Sequence, residues 1–181
     1  MKGLFLDRDG VINREIGYLS KAEEVIFVDG IFSLCRTAQS LGYRLMVITN
    51  QAGIARGYYT EEAFQDLMSW MRDEFRREQV ELDAVYHCPY HPEHGIGHYK
   101  QEHEDRKPGI GMLLRGQKAF DLDLAQCVMI GDRCTDVVAA NAAGLRQAFL
   151  IAGTEDDAAC GGAFLPVRSL HEVESWLLQK G

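Results

Sequence analysis

Two aspartates, Asp7 and Asp9, follow the apolar run Gly3-Leu4-Phe5-Leu6 and are succeeded at once by Gly10. Side chains two apart on a continuing strand point to the same face, so both carboxylates can address one cation or one reacting group. Further reactive types follow other apolar runs: Thr49, Asn50 and Gln51 after Leu45-Met46-Val47-Ile48, and Asp132 and Asp136 after Cys127-Val128-Met129-Ile130. Lys107 stands before Pro108-Gly109, where the start of a helix favours an anion. Two or three carboxylates suit Mg2+, a hard ion that takes oxygen ligands, while Lys107 and Thr49 can hold phosphoryl oxygens. A carboxylate attacks phosphorus readily once a metal and a lysine neutralise the repelling charges. Asp7 is the candidate nucleophile, and Asp9 the group that protonates the leaving alkoxide and later activates water.

These residues need a scaffold that gathers strand ends. Apolar runs of strand length alternate with helical patterns at residues 31–41, where Gly42 is a C′ residue, and at 60–79, where Thr60 is the N-cap. Further helices are expected over about ten residues after Gly109, over 137–143 closed by Gly144, and after Ser169. Strands are expected at 83–87, 127–130 and 147–151, and a short β-like run at 25–28. The alternation predicts an α/β fold, a doubly wound parallel sheet of Rossmann-like type, whose strand ends converge on one edge. One domain is expected over residues 1–181, with a flap at about 11–29 and a histidine-rich loop at about 88–105 in place of a cap domain.

Composition narrows the partners. Hydrophobic residues make up 46% and charged residues 25%, as in an ordinary soluble globular protein, and the net charge of −8 argues against nucleic acid. No window approaches the ~18 apolar residues of a membrane span. A cytoplasmic monomer acting on a small molecule is the expectation. The five cysteines, Cys35, Cys88, Cys127, Cys134 and Cys160, lack paired spacing and read as reduced thiols. The small, polar stretch 153–162 reads as a surface loop without chemistry.

The segments Asp7-Arg8-Asp9-Gly10, Thr49-Asn50-Gln51, Arg106-Lys107-Pro108 and Gly131-Asp132-Arg133 resemble, in order and spacing, the four motifs of the haloacid dehalogenase superfamily. The resemblance covers about residues 3 to 150 and is greatest to the heptose bisphosphate phosphatases. It implies Asp7 as nucleophile, Asp9 as acid/base, and Mg2+ held by Asp7, the backbone carbonyl of Asp9, and Asp132. Thr49 and Lys107 would grip the transferring phosphoryl group, and Arg106 would read the second phosphate or the sugar. Asn50, Gln51 and Ala52 would line the substrate side, with Glu15, Ile16, Gly17 and Tyr18 as a wall. Arg133 would stand as the basic residue beside the metal ligand, and Asp136 would orient its neighbours. Arg56 counts with the substrate-side candidates, although a single loop arginine between glycines more readily faces solvent than binds phosphate.

Histidinol-phosphate phosphatases share the motif order and are the competing substrate group; Gly53-Ile54-Ala55-Arg56-Gly57 and Gly17-Tyr18 favour the heptose group. A phospho-accepting receiver module has a similar inventory, but Asp9 supplies the base that shortens the life of an acyl phosphate. Five of the six histidines fall between His87 and His103. In the family this loop often holds structural zinc through Cys-x-His and Cys-x-Cys; the matching positions here are Cys88, Tyr90, His103 and Asp105. With His91 one position off, Zn2+ on Cys88, His91, His103 and Asp105 is chemically open, and a hydrogen-bonded loop without zinc is the expectation.

Overall fold

Alternation along the central strands decides the layering. In β1 (Lys2–Leu6), Leu4 and Leu6 pack on one side of the sheet and Phe5 on the other; in β2 (Tyr43–Asn50), Leu45 and Val47 oppose Met46 and Ile48. β4 (Val128–Gly131) repeats the pattern with Val128 and Ile130 against Met129. Both faces are therefore apolar and both are covered. Helices α1 (Ile31–Ser40), α3 (Glu61–Arg77) and α6 (Leu170–Lys180) cover the first, and α4 (Gly111–Phe120) and α5 (Cys134–Ala142) the second. The structure, a computed structural model, describes residues 1–151 and 160–180.

With β3 (Ala84–Cys88), β5 (Gln147–Ile151) and β6 (Leu165–Val167), the sheet has six parallel strands in the order β3-β2-β1-β4-β5-β6. The chain moves outward from β1 through β2 to β3, then returns to the other side of β1 as β4. That reversal opens a crevice at the carboxyl ends of β1 and β4. The Asp7 N–H donates to the Ile130 carbonyl at 3.0 Å, so the pairing extends one residue beyond β1 and delivers Asp7 to the crevice.

The expected helices and strands form within a few residues, with informative differences. Gly42 follows α1 at φ 83°, and the Thr60 hydroxyl accepts from Ala63 N at 3.1 Å at the start of α3. α5 begins at Cys134, three residues early, because the Asp136 carboxylate accepts from Arg133 N at 3.1 Å and caps the helix with polar groups that an apolar pattern does not reveal. The run 25–28 is not a strand; Phe27 makes only an isolated bridge to Asn13. After β2 the chain coils at once into the short α2 (Ala52–Ala55).

The cysteine expectation is corrected: Cys134 and Cys160 are disulfide-bonded across a separation of 26 residues, with Cα atoms 5.1 Å apart. The fold brings α5 to the segment before β6, a proximity that spacing cannot show. Cys35, Cys88 and Cys127 are buried and free. Of the stretch read as a surface loop, residues 153–159 lie outside the described residues. Among the described residues, no helix is long and apolar enough to cross a membrane.

Candidate active site

The carboxyl ends of β1, β2 and β4 meet at a cleft of about 510 Å3. At the end of β1, Asp7 is buried, and its Oδ1 accepts from Arg8 N at 2.7 Å and lies 3.0 Å from the Lys107 Nζ. Asp9 is held on both oxygens. Oδ1 accepts from Arg8 Nε at 3.2 Å, Arg8 Nη2 at 2.9 Å and Asn13 Nδ2 at 3.0 Å; Oδ2 accepts from Arg8 Nη2 at 2.8 Å and Gln51 Nε2 at 3.1 Å. Gly10 then turns the chain at φ 84°, and a methyl there would overlap the Asp132 carboxylate. Only glycine lets the β1 loop lie this close to the end of β4.

From β2, Thr49 and Gln51 are buried at the cleft floor. Asn50 spends its amide on the chain: Nδ2 donates to the Lys107 carbonyl and Oδ1 accepts from Lys107 N, both at 3.0 Å. This two-point clasp ties Lys107 to the end of β2. The Lys107 ammonium donates to the Ile48 carbonyl at 3.0 Å and faces Asp7 at 3.0 Å and Asp136 at 2.7 Å. Burial alone would depress its pKa, but the Asp136 and Asp7 carboxylates outweigh burial and raise it. Lys107 is thus a fixed cation inside the protein.

Asp7, Asp132 and Asp136 bring one ligand oxygen each within 4.8 Å of the others, and all are buried. Burial, reinforced by Asp136 and Asp132 and opposed by Lys107, pushes the Asp7 carboxyl up; burial and Asp136, opposed by Arg133 and Lys107, do the same for Asp132. Both carboxyls are raised chiefly because they are withdrawn from water. A set of hard carboxylate oxygens this close together fits Mg2+. Asp136 has two tasks, since it also caps α5.

Of the other expected residues, Glu15, Gly17, Tyr18, Ala52, Arg106 and Arg133 line the cleft. Arg133 reaches across to Glu15 at 3.5 Å, and Arg106 donates to the Tyr90 carbonyl at 3.2 Å. Ile16 and Arg56 do not line it; half of the Ile16 surface is open to solvent. Several site residues escaped sequence reasoning, among them Asn13, which donates to Asp9. Arg8, 1% exposed, forks onto Asp9 and lies 5.6 Å from the Phe64 ring centre. Tyr59 lines the cleft and bonds Gln51. An arginine between two aspartates was a readable signal for Arg8, although arginine is seldom buried.

The histidine-rich loop makes several contacts of its own. Tyr90 and His103 stack with ring centres 4.5 Å apart, and Arg115 pairs with Asp105 at 2.8 Å. His91 Nδ1 accepts from Glu93 N and His94 N, and the Cys88 thiol points to the Tyr90 carbonyl at 3.9 Å. Among the described residues, the only group of three or more ligand side chains close enough to share one ion is the aspartate set at the sheet edge; Cys88, His91, His103 and Asp105 are not gathered into such a group. Tyr99 anchors the loop by donating to Glu61 of α3 at 2.9 Å.

Fold and site together define a phosphatase of the haloacid dehalogenase class, and a HAD-hydrolase-like family model matches residues 105–173. The chain is 46% identical over 180 residues to the D-glycero-alpha-D-manno-heptose-1,7-bisphosphate 7-phosphatase of Burkholderia mallei, covering 99% of this chain and 95% of that protein. It is 42% identical to the corresponding beta-anomer phosphatase of Vibrio cholerae, covering 97% and 96%. The chain belongs to the heptose-1,7-bisphosphate 7-phosphatase family. Its structure superposes on that of the D,D-heptose 1,7-bisphosphate phosphatase from B. bronchiseptica complexed with magnesium and phosphate, with a TM-score of 0.84, 28% identity and full coverage of both chains.

Proposed function

We propose that this protein removes the 7-phosphate of D-glycero-D-manno-heptose 1,7-bisphosphate in the biosynthesis of nucleotide-activated heptose, acting as a cytoplasmic monomer. The observation that carries the reading is Lys107 set between Asp7 and Asp136 at the point where the sheet order reverses. Identity of 46% to a relative of that activity supports the substrate, and the net charge of −8 supports a small phosphorylated sugar over nucleic acid.

An Asp7 carboxylate oxygen attacks the 7-phosphorus, the bond from phosphorus to the sugar oxygen breaks, and Asp9 gives its proton to the departing alkoxide. Asp9 then takes a proton from water as that water attacks the aspartyl phosphate. The phosphorus–Asp7 bond breaks, phosphate leaves and Asp9 has regained its proton. Thr49 and Lys107 hold the phosphoryl oxygens through both steps. Asp7, the Asp9 carbonyl and Asp132 would hold Mg2+, with Arg133 beside it; the ion supplies charge neutralisation on the phosphoryl oxygens. Arg106 faces the second phosphate, and the flap at 11–29 with the loop at 88–105 closes the cleft of this single domain. Zinc has no part in the reading.

Phosphate release from heptose 1,7-bisphosphate and from histidinol phosphate, measured side by side with Mg2+, tests the substrate. The expected result is a higher kcat/KM for the heptose and a product that keeps its 1-phosphate. Preference for histidinol phosphate would overturn the proposal.

A further inference from the structure

Gln51 stands between Thr49 and Asp9, and both ends of its amide are occupied. Nε2 donates to Thr49 Oγ1 at 2.8 Å and to Asp9 Oδ2 at 3.1 Å, while Oε1 accepts from the Tyr59 hydroxyl at 2.5 Å. In this orientation all three contacts are satisfied, since the amide nitrogen serves the Asp9 carboxyl and the Thr49 hydroxyl while the amide oxygen takes the Tyr59 hydroxyl. From the geometry we infer that Tyr59 is a positioning residue for phosphoryl transfer, holding Gln51 where it couples Asp9 to Thr49.

Gln51 is 2% exposed, so water is a poor substitute for the phenol. Without the hydroxyl, Oε1 would be a buried acceptor lacking a donor, and Gln51 would have to turn away from Asp9 to find one. Burial pushes the Tyr59 phenol up to about 12, which keeps it a donor throughout the neutral range. The seat of Tyr59 is built for it as well: a methyl at Gly53 would overlap the ring and its hydroxyl. Arg8 and Asn13 grip Asp9 from the β1 side, whereas Gln51 is the donor that comes from the end of β2. Through Gln51, the group that would protonate the leaving oxygen is registered against the threonine that would hold the phosphoryl group. Registration of this kind matters most when the leaving group is a poor one, since a sugar alkoxide needs a proton as it departs and p-nitrophenolate does not.

The inference rests on the proposed phosphatase reaction, and its test separates the two. kcat/KM reports the steps through leaving-group departure, and it is measured for wild type, Tyr59→Phe, Gln51→Ala and the double variant on heptose 1,7-bisphosphate and on p-nitrophenyl phosphate. The expected result is a loss of about tenfold for Tyr59→Phe on the sugar, carried by kcat, with less than about twofold on the aryl ester. In the Gln51→Ala background the tyrosine substitution should cost nothing more. Gly53→Ala, a change that helix propensity favours in α2, should reproduce the selective loss by displacing the ring. Equal losses on both substrates, a rise in KM alone, or full additivity with Gln51→Ala would overturn the role of Tyr59 and leave the phosphatase reading intact. A wild type that releases phosphate from neither ester would overturn both.

Discussion

Lys107 Nζ lies 2.7 Å from an Asp136 carboxylate oxygen, and both side chains are 2% exposed. The pair joins the segment before α4 to the first turn of α5 beneath the cleft. Breaking a buried pair from one side leaves a charge without its partner. Asp136→Ala should cost about 3 kcal/mol in denaturant unfolding, because it also removes the cap of α5. Lys107→Met should lower kcat by about 10^2- to 10^3-fold, measured as phosphate release. A Lys107→Met enzyme within twofold of wild type would remove the lysine from the reaction.

The aspartate set predicts a metal effect that is visible without substrate. Mg2+ at about a hundredfold over its Kd should stabilise the fold by about 2.7 kcal/mol, read as a rise in Tm. Asp132→Asn should abolish that rise, and chelation should abolish turnover in the wild type. An equal Mg2+ shift in wild type and variant would place the ion elsewhere.

Glu174 gives a prediction in pH. It joins α6 to α1 by accepting from Ser33 Oγ at 2.8 Å and Thr37 Oγ1 at 2.6 Å. Burial raises its pKa, but the hydroxyls of Thr37 and Ser33 and the nearby His171 outweigh burial and lower it below the usual glutamate value. A folded pKa below the unfolded one gives stability that is present above the unfolded value and is lost as pH falls through the folded value. Glu174→Gln should therefore lose about 1–2 kcal/mol at neutral pH and show a shallower decline in acid than wild type. Parallel curves for the two proteins would deny the tie.

Much of this site was legible because a parallel α/β sheet turns position along the chain into position in space. An apolar run followed by reactive side chains, repeated at Asp7, Thr49 and Asp132, places all three at one sheet edge once strands and helices alternate. The hidden features lack such a pattern. β6 is three residues long and contains Pro166, so neither length nor alternation marks it. The early start of α5 depends on hydrogen bonds between Arg133 and Asp136, and the Cys134–Cys160 bond on contact between segments far apart in sequence. Arg56 was drawn to the cleft by its glycine-flanked loop, whereas the chain there coils into α2 and leaves Arg56 at its end, outside the cleft lining. For Tyr59, only the packing over Gly53 shows it reaching Gln51.

The central claim is that Asp7 carries the phosphoryl group. Phosphate release from heptose 1,7-bisphosphate by Asp7→Asn tests it most directly, with folding checked by the unfolding curve. The expected result is a loss of at least about 10^3-fold in kcat with no phosphorylated protein trapped by acid quench, where wild type yields an acid-stable, base-labile acyl phosphate. An Asp7→Asn protein that turns over at a rate close to wild type would contradict the account.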